Sequence, residues 1–226
     1  SDNNYAFSVA NPDQLASVAE NGSLHDVVNI PECVYGDKLL FMRATANTTF
    51  TYTGVINDAY MASTNEAPYT ENPLSKQLAI IARMIKGGLG TKVYMVSLDG
   101  FDTHANQVQK HRTLQEDLAS SIKNFYDDLA TAGYDNTVLG MTISEFGRRP
   151  FENGSNGTDH GAASPTMLFG AGLNGSGFVG EHPDLDASAW DINSNLVPST
   201  DFRDVYASVL TDWFCLDPSI VNTILL

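Results

Sequence analysis

Three apolar runs alternate with helix-period segments between Leu74 and Phe169, and this alternation constrains the fold more than any other feature. Thr91 to Leu98 (TKVYMVSL), Thr137 to Ile143 (TVLGMTI) and Ser164 to Phe169 (SPTMLF) are nearly continuous apolar stretches, as strands buried on both faces are. Ahead of the first run, Leu74, Leu78, Ile81, Ala82 and Ile85 recur at helical spacing after Asn72-Pro73, and Gly87-Gly88 ends the element. Between the first two runs, Leu114, Leu118, Ile122, Phe125 and Leu129 mark one stripe of a long helix that Gly133 stops. Strand–helix–strand order predicts an α/β fold: a largely parallel sheet flanked by helices. Residues 1–226 read as a single α/β domain, with 1–73 a helical and irregular part and 74–226 the core. In the first part, Asn11-Pro12-Asp13 opens a helix through Leu15 to Ala19, and Asp37 to Ala46 holds enough apolar residues for another short one. Late in the chain, Asp201 caps a last helix with Phe202, Val205, Val209 and Leu210 on its apolar side.

Charge narrows the partners. Lys plus Arg is 12 against 27 for Asp plus Glu, a formal charge of −15. Nucleic acid is disfavoured, because binding it needs clustered Lys and Arg to release counterions. The anionic face of a membrane is disfavoured on the same ground. No run of about 18 apolar residues offers a membrane span. A small anionic substrate remains open where a local cation, such as a metal ion, reverses the field. Cys33 and Cys215 form no zinc-ligand spacing; a disulfide between them and two independent thiols both stay open. Ser1 opens a polar stretch with no apolar signal region, so any export signal is expected upstream.

Ionisable residues collect beside the three runs, where open α/β sheets bind ligands. Asp99 to Gln107 (DGFDTHANQ) follows the first, Ser144 to Arg149 (SEFGRR) follows the second, and Gly157 to Gly161 (GTDHG) precedes the third. Carboxylates mixed with imidazoles suit zinc, manganese or iron better than calcium, which prefers all-oxygen shells. Each piece also has an ordinary reading. Asp102 is equally a helix cap, and Glu145 equally an ion-pair partner of Arg148 or Arg149. His104 alone is a common helix-start residue. His111 sits two turns further on, about 10 Å away along a helix, and so serves behind the ligands or only structurally. Asp159 either orients the His160 ring or joins the metal directly. No G-x-S-x-G and no P-loop is present, so no nucleophile stands out.

In combination, LDGFDTHANQ (98–107), TISEFGRR (142–149), NGTDHG (156–161), SPTMLFGAG (164–172) and DFRDVYASVL (201–210) resemble the bacterial family known as domain of unknown function 1501. The resemblance covers roughly residues 74–214 and only the later half of a typical member. It implies an alkaline phosphatase-like fold, grouped with sulfatases, and a periplasmic or extracellular location. It also implies a metal set of Asp102, His104, Glu145 and His160, with Asp159, His111 and Asn106 supporting it. An alternative aligns Asp159-His160 with the superfamily's Asp-His pair after the second strand. The superfamily nucleophile lies upstream of the matched motifs.

Two functions follow. One is a metal-dependent hydrolase of phosphate or sulfate esters, with Arg148 or Arg149 holding a non-bridging oxygen. The other is an exported, non-catalytic protein that binds a protein partner through the same fold.

Overall fold

The structure, a computed structural model, describes residues 9, 17–18 and 22–225. The helix expected over Leu15 to Ala19 falls largely outside them. The chain divides into two compact units: residues 1–97 with 120–134, and residues 98–119 with 135–226.

The first unit is helical. Helix α1 (Val34–Met61) runs far beyond the short element expected at Asp37 to Ala46. Apart from Gly36 in its first turn, its buried positions Thr53, Ile56 and Ala59 fall in its last third. Helix α2 (Pro73–Lys86) begins where the sequence places it. The Asn72 side chain accepts from the Ser75 amide at 2.7 Å, and Pro73 fills a first-turn position where no amide proton is needed. Leu74, Leu78, Ile81 and Ala82 form its buried stripe, with Met84 rather than Ile85 completing it. Helices α1 and α2 pack together. Gly87 ends α2 where a Cβ would lie 1.8 Å from the Ala59 carbonyl oxygen, so only glycine permits this approach. Residues 120–130 of helix α3 (Gln107–Ala130) add Phe125 and Leu129 to the core.

Thr91 to Leu98 forms neither helix nor strand, and Val93 and Met95 are 70% and 80% exposed. At Ser97 a side chain does a strand's work: the Gln77 amide donates to the Ser97 carbonyl at 2.9 Å and accepts from its N–H at 3.2 Å.

The second unit holds four two-residue strands. Strand β1 (Gly140–Met141) pairs antiparallel with β4 (Leu168–Phe169), and β2 (Gly147–Arg148) pairs antiparallel with β3 (His160–Gly161). Helix α4 (Phe202–Ser208) starts at Asp201, whose side chain accepts from the Arg203 amide. A π-turn (Val209–Trp213) and helix α5 (Pro218–Leu225) follow. Val221 is the one fully buried apolar side chain among the unit's described residues.

The expected α/β architecture, with a largely parallel sheet and an alkaline phosphatase-like form, is therefore wrong. Helix is the main regular structure among the described residues, and their strands are short antiparallel pairs. The reason is physical. Apolar, β-branched runs favour extended backbone, but a ladder needs a partner in register and a covering layer on each face. Here the first run finds neither, and the second and third meet each other over only two residues. Cys33 and Cys215 are free and exposed. No described helix is long and apolar enough to cross a membrane.

Candidate metal centre

Within the second unit, residues far apart in sequence close on the Asp102 carboxylate. The connection after Leu98 turns back at Asp102 and Thr103, with the Thr103 amide donating to the Phe101 carbonyl at 2.9 Å and Thr103 only 2% exposed. Asn106 takes φ +49°, a left-handed turn that asparagine tolerates, and starts α3. The 153–157 loop then seals this turn. Asn106 and Gln107 amides donate to the Ser155 and Asn156 carbonyls at 3.1 and 2.9 Å, which satisfies donors that a helix start leaves open. Gly157 lies where a Cβ would stand 2.3 Å from the His104 carbonyl carbon, so the two loops touch backbone to backbone.

Asp102 Oδ1 lies 2.9 Å from His104 Nε2, 2.6 Å from His160 Nε2 and 3.1 Å from Arg148 Nη1. His104 turns its other nitrogen to Asp159 Oδ1 at 3.2 Å, the kind of carboxylate contact that fixes the orientation of a metal-binding imidazole. His160 stands opposite Arg148 in the β2–β3 pair. Its ring stacks on Phe146 at 3.9 Å between centroids and on His104 at 4.9 Å. One ligand atom each from Asp102, His104 and His160 lies within 4.8 Å of the other two. All three side chains are about half exposed, at 56, 47 and 48%.

The electrostatics follow from these contacts. The hydrogen bond from His160, then Arg148 and the nearby imidazoles, hold the Asp102 carboxyl below its ordinary range. Asp159 is lowered by Asn153 first and by His104 next.

The structure thus brings Asp102, His104 and His160 together, with Asp159 behind His104 and Arg148 on Asp102. Glu145 is exposed, and its carboxylate is outside the triad. His111 packs edge-on against Phe101 at 6.1 Å and meets Gln115 Nε2 at 3.4 Å, outside the triad as well. Asn106 contributes its backbone. Arg148 is committed inward: Nε donates to Thr158 Oγ1 at 2.9 Å, Nη2 to the Thr158 carbonyl and Nη1 to Asp102.

One organising residue escapes the sequence reading. Asn153 Nδ2 donates to the His104 carbonyl at 3.0 Å and to Asp159 Oδ1 at 3.1 Å, while its Oδ1 accepts from the Ser155 and Gly157 amides. The only sequence signal for it is an asparagine opening an Asn/Gly/Ser stretch, where Asx turns form.

Two imidazole nitrogens and a carboxylate oxygen form a set that could hold a divalent metal ion. Residues 42–218 match the model of the family described as protein of unknown function (DUF1501). The chain belongs to that family. No curated protein and no solved structure matches it. For this DUF1501 member, the match takes in the triad, Asn153, Asp159 and both arginines.

Proposed function

We propose that this DUF1501 protein is an exported, metal-dependent hydrolase of small phosphate or sulfate esters. The convergence of Asp102, His104 and His160 within 4.8 Å carries the reading. A divalent ion bound there would supply Lewis-acid polarisation of an ester oxygen. The protein's own groups do the rest. Arg148 pins the Asp102 carboxylate, Asp159 fixes the tautomer and tilt of His104, and Phe146 holds the His160 ring. Both imidazoles must present an unprotonated nitrogen to the ion. Arg149 is the arginine left to meet a non-bridging ester oxygen, because Arg148 is occupied.

A second reading is supported by the hydroxyls. Thr103 is buried with Oγ1 turned to the Phe101 carbonyl at 3.4 Å, and Ser144 Oγ donates to the Phe146 carbonyl at 2.8 Å. Neither is aimed at the triad, which favours a metal-binding protein that recruits a partner without chemistry. Metal analysis and turnover of aryl phosphate and aryl sulfate separate the readings. The hydrolase predicts about one ion per chain, lost in His160→Ala and retained in Glu145→Ala, with turnover abolished by chelator. Stoichiometric metal without turnover favours the partner-binding protein, and absence of metal from all samples refutes both.

A further inference from the structure

The tripeptide Asn-Gly-Ser occurs three times, at Asn21, Asn153 and Asn174, and Asn156-Gly157 adds a fourth Asn-Gly pair. In such a pair the glycine amide nitrogen can attack the asparagine Cγ, and glycine puts no Cβ in the way. Asn21 lies outside the described residues. The other three differ in what meets the side-chain oxygen. Asn153 Oδ1 accepts two backbone N–H groups, from Ser155 at 2.9 Å and Gly157 at 3.1 Å. Asn174 is exposed, and no described residue donates to its side-chain oxygen. At Asn156 the amide that would attack, that of buried Gly157, is the one already bonded to Asn153.

The Ser155 bond folds the Asn153 side chain over the Gly154 peptide, as an Asx turn does. Two amides at this spacing make an oxyanion hole: they stabilise the charge that collects on Oδ1 when a nucleophile adds to Cγ. Gly154 is exposed, and nothing stands within 4 Å of where its Cβ would lie, so solvent base reaches this peptide. The far end of the side chain serves the metal centre. Asn153 Nδ2 donates to the His104 carbonyl at 3.0 Å and to Asp159 Oδ1 at 3.1 Å.

We propose that Asn153 is a self-modifying residue: it deamidates through Gly154, and the change disables the metal centre. Hydroxide takes the Gly154 amide proton, the nitrogen bonds to Cγ, and the Cγ–Nδ2 bond breaks as ammonia leaves with a proton from water. Water then opens the cyclic imide at either carbonyl, leaving aspartate or isoaspartate at position 153. The net change is amide plus water to carboxylate plus ammonium. The product reverses the bonding: where Nδ2 donated, a carboxylate now faces the Asp159 carboxylate and the His104 carbonyl, with no proton to share. Isoaspartate also lengthens the backbone of the loop that touches His104. The effect on the centre rests on the metal-dependent reading; the deamidation does not.

Asn174-Gly175-Ser176 repeats the tripeptide of Asn153-Gly154-Ser155 and is the internal control. The full chain is held in mildly alkaline buffer, folded or in urea, and its peptides are mapped by mass spectrometry for aspartate and isoaspartate. The rate at Asn153 relative to Asn174 should be at least about tenfold higher in the folded chain than in urea, where sequence alone decides. A smaller enhancement, or protection of Asn153 by folding, overturns the self-modification. Gly154→Ala adds a Cβ in open space at a φ outside the left-handed region, and should all but stop conversion at Asn153 while zinc uptake stays native. Conversion that continues in this variant overturns the proposal as well. Asn153→Asp should weaken zinc binding, read by calorimetry, by about 10–100-fold. The deamidated fraction of aged native chain gives the same reading if that variant misfolds, and native zinc affinity in both overturns the effect on the centre. Conversion at Asn153 in a chain that takes up no zinc sinks the metal reading and leaves the deamidation standing; zinc uptake with Asn153 intact sinks the deamidation alone.

Discussion

Asp128 offers the sharpest test of how the helical unit is held together. Its side chain is wholly buried near the end of α3 and receives Lys86 Nζ at 2.6 Å, Asn65 Nδ2 and the Glu66 amide at 2.8 Å each, and Tyr69 OH at 3.1 Å. Lys86 is only 5% exposed. Burial pushes the Asp128 carboxyl up, but Asn65, Lys86, Glu66 and Tyr69 outweigh it and hold it below the ordinary carboxylate range. Burial, then the Asp128 charge, pushes the Tyr69 phenol up in turn. Asp128→Ala leaves a buried ammonium facing no anion, removes the acceptor of the Glu66 amide and the Tyr69 hydroxyl, and leaves Asn65 Nδ2 with the Ala79 carbonyl alone. Removing one partner of a buried pair costs about 3–5 kcal/mol. At about 2–4 °C per kcal/mol for a chain of this size, the melting temperature should fall by roughly 6–20 °C. Lys86→Met should cost a similar amount. The double variant Lys86→Met with Asp128→Ala should cost less than the sum, because neither charge is then left alone. Urea unfolding at pH 7, followed by circular dichroism, measures all three. The pH dependence has a definite sign. A depressed folded pKa stabilises the protein above the unfolded value of about 3.9, and that contribution is lost as pH falls through the folded value. A cost below about 1 kcal/mol for Asp128→Ala, or strict additivity in the double variant, would refute the buried-pair account.

Three other outcomes follow. Carboxyl-carbon NMR should find Asp102 titrating below the ordinary aspartate range, and His160→Ala should move its midpoint upward, since the His160 contact is the largest lowering influence. Gly157→Ala must push the 153–157 loop off the His104 backbone; it should cost about 1–3 kcal/mol and weaken zinc uptake, read by calorimetry against the native chain. Asn72→Ala removes the cap of α2 and the acceptor of Ser121 Oγ, and should cost about 1 kcal/mol in urea unfolding.

What the sequence discloses depends on the range of the interaction that decides each feature. Helix α2 was legible because its determinants are local: Asn72 and Pro73 at one end, Gly87 at the other, and a stripe at helical period between them. The Asp201 cap was legible for the same reason. The sheet was not. Val93 and Met95 make an extended segment recognisable, but nothing within residues 91–98 says whether a partner strand is present to pair with it. The triad was partly legible. Asp102, His104 and His160 differ from their neighbours in chemistry, and chemistry is visible without knowing the fold. Glu145 has the same chemistry, yet its place in an exposed turn keeps its carboxylate out. Asp128 was invisible, because on paper it is one more charge on an acidic helix. Its partners Asn65, Tyr69 and Lys86 lie 63, 59 and 42 residues away.

The charge balance around the triad bears on why an acidic protein would act on anions at all. The net charge of −15 is spread over the chain, and salt screens distant charges beyond about 10 Å. What an ester meets is therefore local. Asp102, Asp159 and Asp191 supply three negative charges against two positive charges from Arg148 and Arg149, and Arg148 is already spent on Asp102. A divalent ion on the triad would add two positive charges to that neighbourhood. Under the proposed function, metal loading would then govern anion affinity as well as chemistry. By reciprocity a bound oxyanion would tighten the metal by the same factor. The half-exposed triad, too open to enclose an ion by itself, would be completed by the substrate it serves.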